Sequence, residues 1–190
     1  MKDLQELLNR FIKDPENPDI NFKLANYYHN IEQTATAVSY YIRTAERTSD
    51  KKLSCTCLIA CAYCFDKQGC RSITVKGMLQ NAISLMPERP EGYFFLSRFY
   101  EREEEYQDSY LISSIGMKLT SNYNIKLDKL PIDVGYPGTW GIIFEKAVSS
   151  WHCGLTDESK KLFYDLKNNY YNSLDHIHQI SVDDNIKRLF

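Results

Sequence analysis

Apolar residues recur along most of the chain at spacings of three and four, which is the period of an amphipathic helix that buries one face. The first such stretch contains Leu4, Leu7, Leu8 and Phe11 and stops before Asp14-Pro15, so it predicts an N-terminal helix over residues 1–13. Turn residues divide the later stretches into pairs. The predicted pairs are 18–31 with 34–48, 51–65 with 71–86, 90–102 with 105–119, and 139–153 with 157–172.

A short cassette recurs within the first helix of each pair. It consists of two adjacent packing residues, at least one of them small, and an aromatic ring three residues after the second of them. This spacing lets neighbouring helices approach closely. The aromatic residues are 35, 37 and 51 residues apart, so the last interval contains an insertion. The copies are Leu24-Ala25 with Tyr28, Ile59-Ala60 with Tyr63, Leu96-Ser97 with Tyr100, and Ala147-Val148 with Trp151.

The insertion covers about residues 120–138 and contains Pro131, Gly135, Pro137 and Gly138. Because it shows no sustained helical period, we expect an ordered loop there, and the sequence leaves open whether this loop fills a groove. Beyond the last pair, the tail is expected to form one or two short capping helices, since a terminal repeat must cover its inner face. The residues expected to provide that cover are Ile177, Ile180, Ile186 and Leu189.

Leu24-Ala25, Tyr28, Ala37, Tyr41 and, later, Ala82 with Pro87 resemble the tetratricopeptide repeat (TPR) pattern. The resemblance implies an all-α fold, a right-handed α-solenoid of about four TPR-like helix pairs with terminal capping helices, in one domain over 1–190. Within it, 1–13 is the N-terminal helix, 14–120 holds three pairs, 120–138 is the loop, and 139–190 holds the final pair and cap. The pattern departs from the family where alanines are expected, at Thr44, Val75, Ser109 and Gly116, and in a lengthened turn at 66–71.

The later half carries a second resemblance, to helical repeat regions that follow the catalytic domain in some glycosyltransferases, including those of phages and giant viruses. Its motifs are Arg89-Pro90-Glu91, Tyr136-Pro137, Phe144-Glu145 and Asp157-Glu158-Ser159. This resemblance implies an alternative role as an accessory or docking module of a sugar-transfer system, encoded by a phage or virus.

The composition of the chain limits the kinds of molecule that it is expected to contact. A formal charge of -2 and a pI near 6.1 provide no cationic surface for nucleic acid. The longest nearly apolar stretch, Cys55 to Phe65, has eleven residues, whereas a membrane span needs roughly 20. The acidic amino-terminal residues do not resemble an export signal, and the crowded cysteines favour reduced thiols. We therefore expect a cytoplasmic protein that contacts neither nucleic acid nor membrane.

The residues that could carry chemistry do not form a complete site in the sequence. Cys57, Cys61 and Cys64 share a helix face, but no second ligand pair follows downstream, so they are interpreted as packing or groove residues. His176 and His178 would point to different sides of a helix. No phosphate-binding glycine loop, nucleophile elbow or paired metal-binding aspartates are present in the sequence. The sequence therefore predicts a non-catalytic protein without cofactor or metal.

The TPR resemblance implies a concave groove lined by the first helix of each pair, which would bind a peptide or a partner protein. Among the groove positions, Arg98 and Arg102 could clamp a carboxylate in a planar two-bond geometry, or they could pair with neighbouring glutamates. The sequence does not indicate the oligomeric state. The groove candidates are Asn26, His29, Asn30, Cys61, Cys64, Phe94, Arg98, Arg102, Ser149 and His152.

Overall fold

The computed structural model describes residues 2–122 and 128–189, apart from the side chains of residues 2, 3 and 120–122. Within these ranges the chain forms ten α-helices and no strand, which confirms the all-α prediction. Four antiparallel pairs are α2 with α3, α4 with α5, α6 with α7, and α8 with α9. The helices are α1 Lys2–Lys13, α2 Pro18–Asn30, α3 Thr34–Arg47, α4 Lys51–Gln68, α5 Ser72–Leu85, α6 Pro90–Arg102, α7 Tyr106–Asn122, α8 Thr139–His152, α9 Thr156–Asp165 and α10 His176–Leu189.

The chain divides into two compact units. The N-terminal unit contains α1 to α5 together with the segment that ends at Val134, and the C-terminal unit contains α6 to α10 together with the segment from Gly135 to α8. In the N-terminal unit α3 packs against both α2 and α4, and in the C-terminal unit α8 packs against α6, α7 and α9. That the whole chain behaves as one domain stays a prediction.

Each unit has its own apolar core. In the N-terminal unit the buried cluster joins Ala25, Tyr41 and Leu53 to the cysteines of α4. In the C-terminal unit Trp140, Ala147 and Phe163 pack with Leu174 and Val182. Burial of these side chains, each removing apolar surface from water, is what holds the pairs together.

In three of the four helix pairs, the turn between the two helices contains the same backbone hydrogen bond. The N–H of Gln33 donates to the Tyr28 carbonyl, Glu105 to Tyr100, and Leu155 to Ser150, each at 2.9 Å. The residue before each donor has a positive φ, as expected for a left-handed helix cap: 59° at Glu32, 61° at Glu104 and 78° at Gly154. These bonds place Ser150, and not Trp151, at the position of Tyr28 and Tyr100. The cassette prediction for the fourth pair was therefore wrong by one residue.

The second pair departs from this turn. Its first helix continues to Gln68, one turn beyond the predicted end, and the chain reverses through Gly69 and Cys70, whose φ angles are 73° and 51°. Of the residues interpreted as a lengthened turn at 66–71, the first three therefore belong to α4. Lys67 and Gln68 are good helix formers, and Gly69 supplies the unusual backbone angle that ends α4.

The C-terminal cap exists, but its buried face differs from the prediction. Ile177 is 76% exposed and Ile180 is 49% exposed, whereas Leu174 and Val182 are buried. Ile186 and Leu189 do pack against the core as predicted. The chain leaves α9 through a π-helical turn, Leu166–Tyr170, and a 3-10 turn, Tyr171–Ser173, which shift the face that the tail presents.

Between α7 and α8 the described part of the predicted loop, residues 128–138, has no helix or strand. Because α7 extends to Asn122, the loop begins later than predicted, and residues 123–127 lie outside the described residues. Among the helices that the structure describes, none has the length and apolarity of a membrane span.

Candidate functional site

In the N-terminal unit, Asn26, His29, Tyr41 and Tyr63 form what we call the Asn26–His29 surface. The Tyr41 hydroxyl donates to Asn26 Oδ1 at 2.8 Å and lies 3.0 Å from His29 Nδ1. Since that hydroxyl has one proton, His29 must donate through Nδ1, which leaves Nε2 as an acceptor. Partial burial lowers the pKa of His29, so the ring is neutral near pH 7. The amide and imidazole are thereby held in fixed orientations.

Tyr63 extends this surface. Its ring stacks on His29, with centroids 5.3 Å apart and an interplanar angle of 13°, and it is 47% exposed. The Lys67 ammonium lies 5.5 Å from the same ring. The sequence assigned Tyr63 only to packing between pairs. Its spacing from Tyr28 identified the helix face correctly, but nothing in the pattern showed that half of the ring stays open to solvent.

The predicted groove residues Cys61 and Cys64 are instead core residues, which corrects their assignment to an open surface. They are 1% and 0% exposed, because α4 packs this face against α3. Burial raises the pKa of Cys57 to about 12 and that of Cys64 to about 11, and it also raises that of Cys61. Protonated thiols are poor nucleophiles and poor metal ligands. Among the described residues no group of three or more His, Cys, Asp or Glu could hold a metal ion.

In the C-terminal unit, Arg98, Glu101 and Arg102 of α6 and Glu145 of α8 form what we call the Arg98–Arg102 surface. Both arginines are exposed and lie one helical turn apart. The Arg98 guanidinium lies 5.8 Å from the Phe94 ring centroid, and that of Arg102 lies 5.2 Å from the ring of Phe99. These cation–π contacts orient both guanidinium groups.

Glu145 lies beside these arginines and is only 5% exposed. Desolvation raises its pKa to about 8; the neighbouring charge of Glu101 adds to the rise, and Arg98 and Arg102 oppose it. At neutral pH this carboxyl is therefore mostly protonated. Glu145 therefore opposes the positive charge of the two arginines less than an ionised carboxylate would.

The remaining candidates have different environments. Asn30 is exposed at the end of α2. Phe94 is buried: Tyr136 packs on its ring, with ring centroids 5.5 Å apart, and α8 lies against the same ring at Gly141. The Ser149 hydroxyl is buried and donates to the Glu145 carbonyl at 2.8 Å, so it is committed within its own helix and not to a groove. His152 is exposed and stacks on Tyr106 with centroids 3.8 Å apart.

Comparison with known proteins supports the fold and not a narrower assignment. No protein-family model and no curated protein matches the sequence. Among solved structures, the chain is similar to MamA, at 17% identity and a TM-score of 0.65 over 86% of this chain and 79% of that one. It is also similar to YrrB, described as a TPR protein with an unusual peptide-binding site, at 11% identity and a TM-score of 0.63 over 96% and 86%.

A third similar structure is the APC/C hetero-tetramer Cut9–Hcn1, at 12% identity and a TM-score of 0.61, of which this chain matches 33% while 97% of this chain is covered. At these identities the similarity establishes the fold alone. The fold is that of tetratricopeptide-type helix pairs, as the cassette predicted. The resemblance to regions that accompany glycosyltransferases stays a prediction.

Proposed function

We propose that this chain is a non-catalytic protein-interaction module that binds a peptide segment of a partner protein. The binding side chains would be Arg98, Arg102 and His152 in the C-terminal unit, and Asn26, His29 and Asn30 in the N-terminal unit. The observation that carries the proposal is the Arg98–Arg102 surface, where two oriented, exposed guanidinium groups lie beside a carboxyl that burial keeps protonated.

This arrangement favours an acidic side chain or a carboxyl terminus. A guanidinium binds a carboxylate through two parallel hydrogen bonds, and orientation on an aromatic ring reduces the entropy lost on binding. Protonation of Glu145 removes a competing internal anion. The description of YrrB as peptide-binding adds support from a protein of the same fold.

The Asn26–His29 surface would contribute hydrogen bonds to the backbone of a bound segment. The Asn26 amide nitrogen can donate, His29 Nε2 can accept, and the exposed face of Tyr63 can cover an apolar side chain. Such pairs of donors and acceptors match the alternating polar groups of a peptide chain. The residues of this surface differ in type from those of the Arg98–Arg102 surface, so a partner would meet different chemistry in each unit.

We place this interaction in the cytoplasm. The six cysteines are all free thiols, four of them buried with no disulfide partner, as is usual in a reducing compartment.

The test is quantitative affinity capture from cells of the native host with three full-length proteins. We expect Arg98→Ala with Arg102→Ala to reduce recovery of specific partners about tenfold or more, as loss of charge-assisted hydrogen bonds predicts. The matched control is Lys160→Ala with Lys161→Ala, which removes the same charge from exposed positions on α9. Equal recovery with the arginine variant and the lysine variant would remove the arginines from the proposed site.

A further inference from the structure

The two polar side chains of the Asn26–His29 surface meet at one hydroxyl within the N-terminal unit. The hydroxyl of Tyr41, whose ring is buried, lies 2.8 Å from Asn26 Oδ1 and 3.0 Å from His29 Nδ1. The Cys64 thiol lies 4.0 Å from the same Nδ1 atom. Asn26 and His29 are three residues apart on α2, so their side chains lie on one face of that helix. One polar atom of each side chain is therefore held at the buried cluster.

The second polar atom of each side chain is accessible to solvent. Neither Asn26 Nδ2 nor His29 Nε2 has a hydrogen-bond partner among the residues that the structure describes. In the same part of the chain, the buried polar side-chain atoms without a partner belong to other residues. Both atoms are therefore open to a ligand.

The single proton of the Tyr41 hydroxyl determines what these two outer atoms present. Because the hydroxyl donates to Asn26 Oδ1, the outer Asn26 Nδ2 is a donor and the outer His29 Nε2 is an acceptor. If the two hydrogen bonds ran in the opposite direction, the outer oxygen of Asn26 would accept and the outer nitrogen of His29 would donate. Burial lowers the pKa of His29, which keeps the ring neutral near pH 7, as this pairing requires. The surface presents one donor and one acceptor in either case.

A flat aromatic ring borders the donor and the acceptor. Tyr63 stacks on His29 with an angle of 13° between the ring planes, and it is 47% exposed. The ring offers contact area to a planar group bound beside it. The Lys67 ammonium, 5.5 Å from the same ring, would by itself favour a carboxylate. The hydrogen-bond pattern and this charge therefore favour different ligands, which a binding experiment can separate.

We propose that the Asn26–His29 surface binds the side-chain carboxamide of a glutamine or asparagine in the partner peptide, which accepts one hydrogen bond at its oxygen and donates one from its nitrogen. A carboxylate has no proton to donate at neutral pH, and an apolar side chain satisfies neither group. A carboxamide carries its acceptor and its donor in one plane, beside each other, which suits two groups on one helix face. The proposal rests on the proposed function and names the group of the partner that this surface recognises.

The test measures binding of three blocked tripeptides, Gly-Gln-Gly, Gly-Met-Gly and Gly-Glu-Gly, to the full-length protein by nuclear magnetic resonance at neutral pH. The backbone is the same in all three, so a preference among them reports the central side chain alone. We expect the glutamine peptide to shift the side-chain amide signals of Asn26 with a dissociation constant about tenfold or more below those of the other two, as the loss of paired hydrogen bonds predicts.

Two variants locate the effect. His29→Phe keeps a ring against Tyr63 but removes the ring nitrogens, and Asn26→Leu removes the amide at similar volume. With each variant, the glutamine peptide should bind as weakly as the methionine peptide. The matched control is His176→Phe, which changes an exposed histidine of α10 and should keep the preference for glutamine.

The comparison of the three peptides on the unaltered chain decides the proposal even if a variant loses its helical circular dichroism. Equal binding of the glutamine and methionine peptides would leave only backbone recognition and overturn the proposal. Binding of the glutamate peptide as tight as that of glutamine would assign the surface to anions through Lys67 and overturn it as well. The absence of a saturable shift with any peptide, or a preference for glutamine that both folded variants retain, would also overturn it.

The outcome is separable from that of the proposed function, which is tested at Arg98 and Arg102. Absence of a glutamine preference, together with arginine-dependent capture of a partner, would reject the carboxamide site and leave the interaction role intact. A glutamine preference without any effect of the arginine substitutions on capture would support the carboxamide site and reject the role of the arginines.

Discussion

At the scale of single residues, the burial of Glu145 raises the pH at which its carboxyl ionises. A carboxyl that is 5% exposed ionises at a cost, so its pKa lies near 8 although Arg98 and Arg102 are nearby. In the unfolded chain the same group ionises near its ordinary value of 4.5. The folded state therefore holds a proton that the unfolded state has lost between these two pH values, and stability falls as the pH rises through this window.

We expect Glu145→Gln to have nearly the same free energy of unfolding as the unaltered protein at pH 5. At pH 9 the substituted protein should be more stable by roughly 3–5 kcal/mol, because each pKa unit corresponds to about 1.4 kcal/mol. Urea denaturation of both proteins at the two pH values measures the difference, in which the other titrating groups cancel. A difference that does not change with pH would contradict the assigned burial of the charge.

A second residue-scale prediction concerns Tyr41, whose hydroxyl bridges Asn26 and His29. Tyr41→Phe removes this bond from Asn26 and His29, which are both half-buried, so we expect it to lower the free energy of unfolding by about 1–2 kcal/mol. Tyr164→Phe, on an exposed ring of α9, is the control and should change it by less than about 0.5 kcal/mol. Equal effects of the two substitutions would exclude a structural role for the bridge.

The type of a residue predicted its solvent exposure correctly at some positions and wrongly at others. Arg98 and Arg102 are exposed as their charge suggested, whereas Cys61, Cys64 and Ser149 are buried. Spacing along a helix shows which residues share a face, but it does not show which other element covers that face. Ile177 and Ile180 illustrate the same limit, since the turns before α10 rotate them toward solvent.

At the scale of elements, the helices were predictable because turn signals and the three-to-four period agreed along most of the chain. The predicted helix starts at Pro18 and Pro90 are confirmed, and Asn17 and Asp50 cap α2 and α4 with their side chains. The second helix of the last pair was expected from residue 157 and begins at Thr156, with Leu155 at the cap position. The one-residue error in the fourth cassette arose because Trp151 suggested an aromatic position that the turn bonds assign to Ser150.

The replacement of an expected alanine by Gly116 has an element-scale cause. A Cβ atom at this position would lie 2.6 Å from Cβ of Tyr93, so α6 and α7 approach more closely there than alanine permits. We expect Gly116→Ala to lower the free energy of unfolding by roughly 1–3 kcal/mol through overpacking.

Gly77 provides the matched control for this substitution, because it also lies within a helix but a Cβ atom there would meet nothing within 4 Å. Gly77→Ala should raise the free energy of unfolding by up to about 1 kcal/mol through helix propensity. Thermal unfolding of both variants gives the comparison. Stabilisation by both substitutions would show that the close approach of α6 and α7 does not exist in solution.

At the scale of the whole molecule, the sequence indicated the all-helical TPR-type fold but not where the loop packs. The cassette is a local signal that recurs in the first three pairs, so it indicates the class of fold. The position of residues 130–137 depends on contacts between residues far apart in sequence, such as Tyr136 with Phe94 in the C-terminal unit and Ile132 with the cluster around Tyr41 in the N-terminal unit. The hydrophobic spacing within one helix does not predict such contacts.

Selection from a random peptide library displayed on particles tests whether this chain recognises a peptide through the Arg98–Arg102 surface. With the full-length protein at neutral pH, we expect enrichment of peptides with acidic residues, and loss of that enrichment with Arg98→Ala and Arg102→Ala but not with Lys160→Ala and Lys161→Ala. No enrichment by the unaltered chain, or the same acidic enrichment by the arginine variant, would contradict it.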